Sequence, residues 1–83
     1  MEKNMQGVRK DFDDSYILKS GEYGQLNRIW YATPPGTDLM ANLANHTVIE
    51  HEDKTITVSP SILVWDHNTR WHGFLEKGVW RKL

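Results

Sequence analysis

Apolar and polar residues alternate over short runs through most of this chain, and turn-forming residues break it up. The clearest run is Arg28-Ile29-Trp30-Tyr31-Ala32-Thr33, dense in β-favouring side chains and stopped by Pro34-Pro35-Gly36; it predicts a strand. Thr47 to His51 and Thr55 to Ser59 flank Glu52-Asp53-Lys54, which predicts a hairpin with a short polar connection. Pro60 has no N–H to give a ladder and marks a strand end, an edge or a bulge. Ile62 to Trp65 resumes as a strand, and Asp66-His67-Asn68-Thr69 breaks it. Arg70 to Leu75 and Val79 to Leu83 form a closing hairpin around Glu76-Lys77-Gly78, where Gly78 can take a positive φ.

The first half gives weaker signals. Residues 1–15 mix charges without periodicity and read as a flexible or loosely docked N-terminal arm, although Val8 and Phe12 stand one helical turn apart. Tyr16 to Lys19 makes a short strand, and Ser20-Gly21 and Tyr23-Gly24 make turns. Thr37 or Asp38 can cap a short helix, because Leu39, Met40, Leu43 and Ala44 recur at three- and four-residue spacing. The expected fold is mainly β: a small antiparallel sheet or partial barrel of five to six strands over residues 16–83, with one short helix and the arm before it.

At 83 residues the chain has room for a single core. A domain this small buries only ~60–65% of its unfolded surface, so each large apolar side chain matters. Trp30, Trp65, Trp71 and Trp80 are expected to supply much of that burial. There is no cysteine, which removes disulfides, thiolate metal sites and cysteine nucleophiles and favours a cytoplasmic setting. The start of the chain lacks an apolar signal region, and no stretch is long enough to span a membrane as a helix. A net charge of −1 gives no overall field toward nucleic acid or an anionic membrane.

Three constellations can carry chemistry. His46, His51, His67 and His72 are metal-ligand types, but 46/51 and 67/72 are odd offsets and fall on opposite faces of a strand. A metal site therefore needs a cross-strand pair such as His51 with His72, plus Glu50 or Asp66; structural or surface histidines are the preferred reading. Ser59, Ser61, His72 and Asp66 contain the atoms of a hydrolytic triad, yet no nucleophile-placing motif surrounds the serines, and Ser59-Pro60-Ser61 reads as a turn. The C-terminal hairpin interleaves Arg70, Lys77, Arg81 and Lys82 with Trp71, Phe74 and Trp80, the composition of a single-strand nucleic-acid platform. Against that, so small a domain needs those aromatics as core. Pro34 and Pro35 stiffen a loop that can serve either as a partner-binding element or as a tight connection.

The segments Thr55 to Leu63, containing Ser-Pro-Ser-Ile, and Arg70 to Trp80, containing Trp-His-Gly-Phe-Leu, resemble a family of small uncharacterised phage and prophage proteins, a domain of unknown function. The resemblance covers the last thirty or so residues well and Arg28 to Glu50 loosely. Many members carry a Cys-Pro-x-x-Cys knuckle where this chain has Ala32 to Gly36, so no metal site carries over with the likeness. The resemblance implies a phage-encoded accessory protein in the host bacterial cytoplasm. Together with the lack of a nucleophile-placing motif, it leads to the expectation of non-catalytic binding to a host or phage macromolecule, for example to inhibit a defence or metabolic protein, and the residues themselves offer Pro34, Pro35, Arg70, Trp71, Trp80 and Arg81 as contact candidates. A metal-binding domain using His51 and His72, and a nucleic-acid binder, stand as alternatives; no resident cofactor is expected.

Overall fold

The computed structural model describes residues 4–83, which form nine strands in two sheets and no helix among them. The strands are β1 (Asn4–Gln6), β2 (Val8–Arg9), β3 (Glu22–Leu26), β4 (Ile29–Ala32), β5 (Ala41–Asn42), β6 (Thr47–Glu50), β7 (Ile56–Trp65), β8 (Arg70–Glu76) and β9 (Val79–Lys82). One sheet runs β1-β9-β8-β7-β6 and the other β2-β3-β4-β5, so neither closes into a barrel. All pairings are antiparallel except β2 with β3.

Two hairpins are built on the same turn chemistry. Asn27 and Arg28, at φ 52° and 70°, join β3 to β4; Lys77 and Gly78, at φ 48° and 76°, join β8 to β9. Two consecutive positive φ angles give a turn whose twist matches that of the flanking strands. Gly78 is required twice over, because a Cβ there would also lie 2.9 Å from the Tyr23 hydroxyl and from Thr55 Cγ2.

The inner faces meet in one core. Tyr23 and Ala32 come from the four-stranded sheet, Leu43 follows it, and Ile56, Val58, Ile62, Trp71, Leu75 and Trp80 come from the five-stranded sheet. Trp71 and Trp80 meet edge to face at 5.3 Å, and the Trp80 indole N–H donates to Gly21 O across the sheets. Alternation along β8 decides this: Trp71, Gly73 and Leu75 point inward, while Arg70, His72, Phe74 and Glu76 lie on the other face. Of the four tryptophans, only Trp71 and Trp80 are buried; Trp30 is half-buried and Trp65 is 67% exposed.

Several expectations need correction. Asn4–Gln6 and Val8–Arg9 of the expected arm are strands, one in each sheet, because β1 pairs with the free edge of β9 and β2 with β3; residues 1–3 of that arm lie outside the described residues. Gly7 N–H donates to Gly78 O at the crossing from one sheet to the other. The expected helix after Pro35 is absent. Pro34 to Thr37 form a tight turn with Gly36 at φ 80°, and the Thr37 hydroxyl and Asn42 side chain bond nearby backbone instead of capping a helix. Two turns of helix cannot repay nucleation, whereas Ala41 and Asn42 find partners in Ala32 and Tyr31 of β4. Tyr16 to Lys19 has no strand partner, and Tyr23-Gly24, expected as a turn, lies within β3.

An ionic clasp joins the sheets. Arg9 of β2 pairs with Glu50 of β6 and with Asp11, donates to Lys54 O, and stacks 5.0 Å over the Trp30 ring. The hydrogen bond from Arg9 holds the Glu50 carboxyl below its ordinary range, and the same contact raises the guanidinium.

Candidate active site

The long strand β7 is not paired evenly with β8. Val58 faces Leu75 and Ile62 faces Gly73, so four steps along β7 match two along β8. The surplus falls on Ser59, Pro60 and Ser61, which form a bulge; the Ser59-Pro60 bond is cis. Bulges of this kind re-aim a side chain out of the regular ladder. Beyond the bulge the register resumes with Leu63 opposite His72 and Val64 opposite Trp71.

Ile62 and Gly73 point inward and are buried, which sends Ser61 and His72 to the outer face of the five-stranded sheet. There the Ser61 Oγ and His72 Nε2 lie 2.9 Å apart, both side chains half-buried. The His72 backbone is held between buried Trp71 and Gly73, and its carbonyl accepts from Leu83 N–H at 2.8 Å. A serine hydroxyl within hydrogen-bond reach of an imidazole is the arrangement that activates serine as a nucleophile. The hydroxyl donates to Nε2 when the ring proton sits on Nδ1.

A second histidine touches the same serine from the other side. Thr47 pairs with Ser59, so the residue before β6, His46, arrives beside the bulge. Its Nε2 lies 3.2 Å from the Ser61 carbonyl oxygen, and its Nδ1 is buried without a hydrogen-bond partner. His46 also lines a groove of about 400 Å³ with Arg28, Trp30, Leu43 and Val48 among others, and neither Ser61 nor His72 is part of that lining.

The other candidates are placed elsewhere. Asp66 Oδ1 accepts from the N–H groups of Asn68 and Thr69, so it shapes the β7–β8 turn and is no triad carboxylate. Ser59 is exposed opposite Thr47. His51 Nε2 bonds Thr57 Oγ1 at 2.7 Å, whereas His72 bonds Ser61, four residues further along β7 and so roughly 13 Å away. His51 and His72 are therefore not brought together, and no group of three or more potential ligands forms among the described residues. Glu50, the partner considered for such a site, is engaged by Arg9. Two other carboxyls held below their ordinary range by hydrogen bonds serve similar structural ends: Asp13 accepts from Ser15, and Asp53 from Thr55.

Nor do the binding candidates form one surface. Trp71 and Trp80 are core and present no ring for stacking bases. Arg81 lies over the Phe74 ring at 4.5 Å and pairs with Glu76, while Arg70 is exposed at the start of β8. Pro34 is fully buried and Pro35 half-buried in their turn. The sequence contains Ser61 and His72 in plain view. What it lacks is any local motif that joins them, because the joining element is a cross-strand register.

Comparison with known families places the chain. A family model described as bacterial ubiquitination-like system serine protease (BubE) matches residues 6–83. No curated protein and no solved structure matches. This finding overturns the resemblance to the phage and prophage family, and with it the phage accessory role and the host interaction expected from it. It also overturns the non-catalytic reading and its metal-site and nucleic-acid alternatives, since the family is described as a protease, hence an enzyme. The match runs through both sheets, the bulge and the serine–histidine contact, and the chain belongs to the BubE family of bacterial ubiquitination-like system serine proteases.

Proposed function

We propose that this protein is a serine hydrolase acting on a peptide or isopeptide bond of a ubiquitin-like protein or its conjugate, with Ser61 as nucleophile and His72 as general base. The single observation that carries this reading is the 2.9 Å contact between Ser61 Oγ and His72 Nε2 on the outer face of the sheet. The family description supports the reaction class and the kind of substrate.

In this mechanism Ser61 Oγ attacks the scissile carbonyl carbon as its proton passes to His72 Nε2. The imidazolium returns that proton to the departing amine, leaving an acyl ester on Ser61. Water, deprotonated by His72, then hydrolyses the ester and frees the serine. Among the described residues no carboxylate hydrogen-bonds His72, so the working unit is a dyad of Ser61 and His72.

Labelling with a fluorophosphonate, read by intact mass and peptide mapping, tests the proposal. One adduct on Ser61 is expected, lost in Ser61→Ala, kept in Ser59→Ala, and slowed by His72→Ala on the order of 10²-fold or more. An unlabelled wild type, or labelling that survives Ser61→Ala, refutes it.

A further inference from the structure

We infer that His46 is a positioning residue for the nucleophile, holding the Ser61 carbonyl so that the hydroxyl keeps its line to His72; the inference rests on the reading of Ser61 given above. Ser61 lies in the stretch where β7 loses its even pairing with β8, so the regular ladder does not define its orientation there. One side-chain contact to its backbone replaces that definition, the His46 Nε2 at 3.2 Å from Ser61 O. A carbonyl only accepts, so Nε2 carries the proton and donates.

The rest of the ring argues that this contact has a use. With the proton on Nε2, Nδ1 is an acceptor, and it is buried with no donor. An apolar ring or a leucine would fill the same space without that unsatisfied nitrogen, so packing alone does not call for histidine here. The benefit lies at the other end of the ring, on the backbone of the nucleophile. His46 is itself fixed by its own N–H, which donates to Leu43 O at 2.9 Å, and Leu43 is core. A chain of contacts thus runs from the core through Leu43 and His46 to Ser61. The contact of His46 with Ser61 is to the carbonyl oxygen and not to the hydroxyl, so it acts through the backbone.

The test compares His46→Leu, His46→Gln and His46→Asn in the full chain by their rate of fluorophosphonate labelling at Ser61, with thermal melts run in parallel. Glutamine can place an N–H near the position of Nε2, whereas asparagine is polar but too short to reach the carbonyl. The expected result is a loss on the order of 10- to 100-fold for leucine and asparagine. Glutamine should recover the rate to within about threefold of wild type, with the reversible affinity for the probe unchanged in all. The asparagine and glutamine pair keeps the comparison decisive if the leucine protein does not fold. Equal rates in wild type and asparagine, or equally slow glutamine and asparagine proteins, overturn the role of His46 while leaving Ser61 as nucleophile. Failure of wild-type Ser61 to label sinks the parent reading instead.

Discussion

Leu75 is the most direct probe of how the core supports the strands that carry Ser61 and His72. It is fully buried, faces Val58 on β7 and Trp80 on β9, and sits on the opposite face of β8 from His72. Leu75→Ala removes three carbons, a transfer loss of about 2.4 kcal/mol at ~0.8 kcal/mol per methylene. The neighbouring indole and strands cannot close the gap fully, and a residual void of ~50 Å³ adds about 1 kcal/mol. The sum, ~3.5 kcal/mol, is a large share of the ~4–12 kcal/mol available to a domain of 83 residues. With a urea dependence of ~1 kcal/mol/M, the unfolding midpoint should fall by about 3.5 M. Urea titration followed by tryptophan fluorescence gives the measurement, since the buried Trp71 and Trp80 report on the same core. Leu75→Met, which conserves volume, should lose less than ~1.5 kcal/mol. A midpoint shift under ~1 M for the alanine variant, with unchanged slope, would refute a tightly packed core at this position.

Other outcomes follow from the same structure. Ser61→Ala should change stability by no more than ~1.5 kcal/mol, because one half-exposed neutral hydrogen bond is lost, while hydrolysis falls by roughly 10⁴-fold or more; equal effects on both would contradict a catalytic role. Arg9 depresses the Glu50 carboxyl, so its stabilising contribution is full above the unfolded-state value of about 4.3 and fades as pH falls through the lower folded value. The midpoint gap between wild type and Glu50→Gln should therefore narrow from pH 7 to pH 3, and a constant gap would argue against the clasp. Gly78→Ala meets both a positive φ and crowding by Thr55 and Tyr23, whereas Gly36→Ala meets a positive φ with open space around it. Chemical denaturation should show the former costing more than the ~1 kcal/mol expected of the latter, and equal costs would dismiss the crowding.

The elements that were legible in the sequence are those whose signal is local. The strand containing Ile29 to Ala32, the hairpin from Thr47 to Ser59 and the closing hairpin around Gly78 each carry alternation and turn chemistry within a dozen residues. Short edge strands such as β1, β2 and β5 carry no such signal, since two or three residues are stranded only because a partner edge is free. The apolar spacing of Leu39 to Ala44 misled for the same reason: Leu43 is buried by its place in the core, not by a helical face. Trp65 shows the limit of arguing from composition, because its side chain falls on the outward step of β7 and stays exposed.

Taken by itself, the chain determined a β-rich domain without thiols and two of its hairpin turns, and it displayed serine and histidine side chains that read as turn and structural residues. Only the tertiary structure decided which of them meet. Ser61 and His72 are eleven residues apart in the chain, and their contact depends on a register that slips by two residues at one bulge. Faces alternate residue by residue along a strand, so pairing and register select the neighbours of each side chain. Those are set by the whole sheet against its core, and no short stretch of sequence records them.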